Sequence, residues 1–124
     1  MPTLIACLSS GKGTWTEVNK IILSQQWDKI YLITSNFGQE NYNNPSTNTA
    51  LITTDFFQEI PKIVDQITSQ LKNKITDFEV AINLTSGTGK EHMAILEAVL
   101  ELGLNFRIVT LNNNGQLEVL GLRR

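Results

Sequence analysis

Twice along this chain a short apolar run ends at a polar turn that carries glycine and lysine. Leu4-Ile5-Ala6-Cys7-Leu8 leads into Ser9-Ser10-Gly11-Lys12-Gly13, and the run over residues 78–84 leads into Thr85-Ser86-Gly87-Thr88-Gly89-Lys90. Runs this short and this apolar suit strands buried on both faces, as in a parallel sheet. Parallel strands need crossover connections, normally helices, and helical periodicity is present where they are required. Trp15, Val18, Ile22 and Gln25, widened by Ile21, form one stripe; Phe56, Ile60, Ile63, Val64, Ile67 and Leu71 form another.

The remaining segments follow the same grammar. Lys29-Ile30-Tyr31-Leu32-Ile33-Thr34 and Ala50-Leu51-Ile52-Thr53 read as strands. Asp55 is a candidate helix cap, with the regular helix starting near Pro61, where the missing N–H costs nothing. Residues 35–48 are so polar that they predict a loop, either a lid or a tolerated insertion, with Tyr42 and its asparagines able to close over a ligand. After Lys90 comes a helix with Met93, Ala94, Leu96, Ala98, Val99, Leu100 and Leu102, apolar enough for burial between the sheet and another surface, and Gly103 ends it. Residues 105–111 and 116–120 flank Asn112-Asn113-Asn114-Gly115, a hairpin signal. The expected fold is α/β, a three-layer Rossmann-like sandwich with a mostly parallel sheet and a C-terminal antiparallel β-hairpin. Residues 1–124 are expected to form a single ligand-binding domain.

Composition narrows the function. A net charge of −2 and a pI near 5.3 argue against a broad basic face, so no duplex nucleic acid is expected as partner. One cysteine, Cys7, and one histidine, His92, leave no internal disulfide and no Cys/His zinc cluster. No metal and no cofactor are therefore expected. The start Met-Pro-Thr-Leu-Ile-Ala-Cys lacks the features of a secretory signal and no apolar run approaches ~20 residues, so a cytoplasmic location without membrane contact is expected.

The two turns carry the chemistry. In α/β sheets ligands bind beyond the carboxyl ends of the strands, where both turns lie. Gly11, Gly13, Gly87 and Gly89 let backbone amides approach an anion, a helix N-terminus favours it by ~0.3–1 kcal/mol, and Ser9, Ser10, Thr85, Ser86, Thr88, Lys12 and Lys90 add donors and charge. Phosphate is the natural guest. A Walker A loop fails at both turns, with Leu84 or Ala6 at the leading glycine position and Glu91 or Gly13 after the lysine. The dinucleotide fingerprint fails as well: Thr16 and His92 hold the third glycine positions, and Thr34-Ser35-Asn36 offers no acid for a ribose.

Asn83-Leu84-Thr85-Ser86-Gly87-Thr88-Gly89-Lys90, followed by a helix with Met93 and a terminal hairpin, resembles the second signature turn of the CARF (CRISPR-associated Rossmann fold) domain. Ser9-Ser10-Gly11-Lys12 resembles that family's first ligand-binding turn, and the order of elements agrees along the whole chain. The resemblance implies a homodimer that binds cyclic oligoadenylate, tetra- or hexa-adenylate, across its two-fold axis. Some members, the ring nucleases, cleave this second messenger and so switch off type III CRISPR signalling. Asn83, Thr85 and Lys90 match the family's Asn/Asp-x-Ser/Thr…Lys/Arg pattern, and Ser9 or Ser10 matches its first-turn hydroxyl. One departure is plain: Ser86, Gly87, Thr88 and Gly89 separate Thr85 from Lys90, one residue more than the common spacing.

The resulting expectation is a stand-alone ring nuclease whose substrate supplies its own 2′-hydroxyl nucleophile, with no metal required. Lys90 and secondarily Lys12 would stabilise the pentavalent phosphate, and Ser10 and Thr85 would orient the ribose-phosphate. In a symmetric dimer each lysine would appear twice around the ring. A non-catalytic sensor or sponge acting on a separate effector, and a nucleotide-binding enzyme unrelated to CRISPR defence, are the alternatives. The remaining residues have plainer readings. His92 belongs to a helix face, Cys7 is a small buried hydrophobe, and Trp15 and Trp27 pack helices, Trp15 lying close enough to the first turn to stack on adenine. Met93 and its neighbouring leucines are core or dimer interface.

Overall fold

The structure, a computed structural model, describes residues 3–44 and 46–121, with the backbone alone at Lys12. The opening Met1-Pro2 and Pro45 of the polar stretch lie outside the described residues. Strand β1, Thr3–Leu8, passes through a 3-10 turn at Lys12–Thr14 into helix α1, Trp15–Leu23. Next come β2 at Lys29–Thr34, α2 at Asn36–Asn41, β3 at Thr49–Thr53 and α3 at Ile60–Leu71. β4 at Glu79–Asn83, α4 at Gly89–Glu101, β5 at Asn105–Leu111 and β6 at Leu117–Val119 complete the order. The six strands form one sheet, β3-β2-β1-β4-β5-β6, parallel except for the β5-β6 pair. This is the α/β sandwich expected from the pattern.

Alternation along β1 explains the layers. Leu4, Ala6 and Leu8 point into a core closed by Trp15, Val18, Ile21 and Ile22 of α1. Ile5 and Cys7 point the other way, into a core closed by Ile63, Val64 and Ile67 of α3 and by Ala94, Ile95, Ala98 and Val99 of α4. Every residue of β1 is buried because a central parallel strand is covered on both faces. Each large side chain wholly withdrawn from water there contributes about 1.5–3 kcal/mol. With α1 and α4 on opposite faces, the chain leaves the adjacent ends of β1 and β4 in opposite directions, and a crevice opens between them.

Three expectations change. Residues 35–48 contain α2, too short and polar to show a stripe; Gly38 brings it against β2 where a Cβ would overlap Thr34 Oγ1. Tyr42 does not close over a ligand: it is buried, bonds through its hydroxyl to Asn19, and meets Trp15 edge-on with centroids 5.5 Å apart. That burial lifts its phenol to about 12. Asp55 does not cap α3, because its Oδ1 accepts the Phe57 N–H at 2.9 Å and closes a separate turn; the helix itself starts at Ile60 and Pro61, as the proline indicated. The outer side of α4 is uncovered in this chain, with Met93 56% and Leu100 59% exposed, while its inner side is buried as expected. No helix among the described residues is long and apolar enough to cross a membrane.

Candidate functional site

The register of β1 against β4, with Ala6 opposite Asn83, brings the two polar turns side by side. Ser86 joins them. Its hydroxyl, wholly buried, accepts the Ser9 N–H at 2.9 Å and the Thr14 hydroxyl at 2.6 Å. Trp15 donates from Nε1 to the Ser9 carbonyl at 2.8 Å and is buried, so its indole anchors the first turn and has no face to offer an adenine. Asn83, also buried, donates to the Val109 carbonyl at 2.9 Å and to Thr85 Oγ1 at 3.0 Å. Ser86 thus ties the two turns together, while Asn83 ties the second turn to β5.

Gly87 is required twice over. Its φ of +109° is disfavoured for residues with a Cβ, and a Cβ there would lie 2.6 Å from Cys7 Sγ, 2.9 Å from Glu91 Oε1 and 3.0 Å from His92 Nε2. His92 Nε2 lies 2.8 Å from the Ser86 carbonyl, which can only accept, so that nitrogen carries the proton. Burial, and secondarily the neighbouring Glu91 carboxylate, push the Cys7 thiol far up, which makes it inert as a nucleophile. α4 starts with a reciprocal cap: Thr88 N–H donates to Glu91 Oε1 at 2.7 Å and Glu91 N–H to Thr88 Oγ1 at 3.3 Å. By contrast, a Cβ on Gly13 or Gly89 would meet nothing within 4 Å, so packing does not select glycine at either position.

Beside this ledge lies a cavity of about 820 Å³. Ser10 from the first turn and Thr88, Lys90 and Glu91 from the second line one side of it. Ser35, Asn36 and Phe37 after β2, and Thr54 to Phe57 after β3, line the other. Lys90 is half-buried and forms no ion pair among the described residues, so its ammonium adds to the positive end of the α4 dipole. Ser10, Gly11 and Gly13 are exposed, and the side chain of Lys12 lies outside the described residues. Thr85 goes elsewhere: it lines a small recess of about 80 Å³ with Glu17, Ile21, Thr110 and Leu111. The Asn83, Thr85 and Lys90 pattern is therefore contiguous in sequence but divided in space.

The polar stretch after β2 does reach the cavity, through Ser35 and Asn36 rather than Tyr42, whereas the lining after β3 escaped the sequence reading because Phe56 fitted a helical stripe. The usable signal was positional, since the segments that follow β2 and β3 lie on the same sheet edge as the two polar turns. Another cavity, about 620 Å³, lies at the opposite edge by Leu71, Lys72, Glu101 and Leu104, away from both turns. In comparison with known proteins, no family model and no curated protein matches the chain.

Proposed function

We propose that the protein binds cyclic oligoadenylate between two copies of this domain and cleaves it, ending a type III CRISPR signal. The observation that carries this reading is that Ser10 and Lys90, from turns 80 positions apart in the chain, line one cavity at the point where the sheet reverses its strand order. Its volume, about 820 Å³, lies within the range of ~300–1,000 Å³ that small-ligand sites occupy. The Ser10 hydroxyl and the Lys90 ammonium suit a phosphate diester, and a two-fold axis would present them twice to a cyclic one.

Cleavage follows from positioning. The 2′-hydroxyl oxygen of one nucleotide bonds to the adjacent phosphorus, the bond to the 5′ oxygen breaks, the 2′ proton passes to water and the departing 5′ oxygen takes one up. The products are a 2′,3′-cyclic phosphate and a 5′-hydroxyl. Lys90, with Lys12 second, offsets charge on the pentavalent phosphate, and Ser10 orients the ribose-phosphate.

The test is incubation with cyclic tri-, tetra- and hexa-adenylate in chelator, followed by mass spectrometry. Linear products ending in a 2′,3′-cyclic phosphate support the nuclease. Tight binding without turnover replaces it with the sensor or sponge, and no binding to any ring overturns the reading. Lys90→Ala is expected to remove cleavage with folding intact; full activity in that variant removes the assignment of Lys90.

A further inference from the structure

Between β3 and α3 the chain displays an aromatic ring in water and holds its backbone in place. The Phe57 side chain is 97% exposed. A single exposed apolar residue is ordinary, and what distinguishes this one is how firmly its segment is tied. Asp55 Oδ1 accepts the Phe57 N–H at 2.9 Å. One oxygen on α3, Gln66 Oε1, accepts the Thr54 hydroxyl, the Asp55 N–H at 3.3 Å and Gln58 Nε2 at 2.7 Å. Both flanks of Phe57 are thereby fastened to a packed helix.

Phe56 and Phe37 line the same cavity as Phe57. Phe37 packs against Trp15 with centroids 6.0 Å apart, and Trp15 in turn rests on Tyr42, so this ring is backed by the core. The same cavity is lined by Ser10, Thr88, Lys90 and Glu91, the last with its carboxylate engaged by the Thr88 N–H. A guest that satisfies both the rings and Lys90 needs a flat π-surface and an anionic group.

We infer that Phe57, which lines the same cavity as Phe37, is the wall on which a nucleobase of the bound ligand stacks, so that this arch selects purine rings while Lys90 holds the phosphate. The inference rests on the function proposed above and deepens it by assigning the base-recognition residues of that site. Stacking is tolerant of base identity but stronger for the larger ring, so adenine is favoured over uracil through contact area.

Binding of cyclic tetra-adenylate to the full chain, measured by calorimetry, tests the assignment. Phe57→Ala is expected to weaken it on the order of 10-fold or more, the usual effect of losing a base–aromatic stack. Phe57→Trp is expected to retain wild-type affinity, and neither change should shift the melting temperature, because the ring touches little of the fold. Equal affinity in wild type and Phe57→Ala overturns the inference and leaves the functional reading standing. If wild type binds no ring, the functional reading fails, and a second arm decides the stacking surface: indole emission of Phe57→Trp, read against wild type, during titration with 5′-AMP and with ribose 5-phosphate. Quenching by the nucleotide alone supports the stacking wall. Quenching by both or by neither overturns it.

Discussion

The turn after β1 and the turn after β4 are written with nearly the same residues, hydroxyls, glycines and a lysine, yet they are built to different ends. The second is locked: Ser86 and Asn83 are buried and hydrogen-bonded, Gly87 sits at φ +109° above Cys7, and Thr88 and Glu91 cap each other. The first is open: Ser10, Gly11 and Gly13 are exposed, and its carbonyl at Ser9 is held from below by Trp15. Similar composition therefore encodes a frame in one place and an exposed turn in the other. The two connections differ: β4 reaches α4 through a turn that ends in a reciprocal cap, whereas β1 passes through a 3-10 turn before α1, whose N-cap Thr14 makes no side-chain capping bond.

Substitutions at equivalent letters should give unequal results. The largest contrast is expected between the glycines: Gly87→Ala should cost about 2–5 kcal/mol, from a backbone conformation that alanine disfavours and from overlap with Cys7 Sγ. Gly13→Ala should stay within about 0.5 kcal/mol, as surface changes usually do. Urea unfolding of both measures the gap, and equal midpoints would erase the distinction between the turns. Reactivity of Cys7 with a thiol reagent sharpens it, since the buried thiol is expected to be protected in wild type and uncovered in Gly87→Ala.

The serines come next. Removing the Ser86 hydroxyl strands the Ser9 N–H and the Thr14 hydroxyl, for an expected loss of about 2 kcal/mol. Ser10→Ala is expected to leave stability unchanged and to weaken ring binding, so thermal melts and ligand titrations should rank these two serines in opposite orders. A smaller effect is expected at the cap, where Thr88→Ala should cost about 1 kcal/mol in the same unfolding experiment, with Thr88→Ser restoring most of it.

Legibility in the sequence tracked burial. β1, β2 and β4 were readable because strands covered on both faces must be continuously apolar, and the hairpin was readable because Asn114-Gly115 places glycine at φ +76°. α2 was not, because a six-residue helix held by Gly38 and Tyr42 draws its stability from tertiary contacts and leaves no period in its letters. Phe56 was legible as apolar but not as cavity lining, and Phe57 drew no reading at all, since a side chain's exposure depends on where the next helix starts. The same limit applied to Thr85 and Lys90, which one short motif unites and two recesses separate.

By itself the amino-acid order determined an alternating β/α chain with two polar, glycine-bearing strand ends on one edge of a parallel sheet, because hydrophobic period and turn chemistry are local properties. Which of those polar groups face outward was decided only by tertiary structure. Parallel pairing of β1 with β4 turned Ser86 and Asn83 inward as fasteners, and it put Ser10 and Lys90 beside rings from two other loops. Distances between segments far apart in the chain are set by packing, which no local pattern contains.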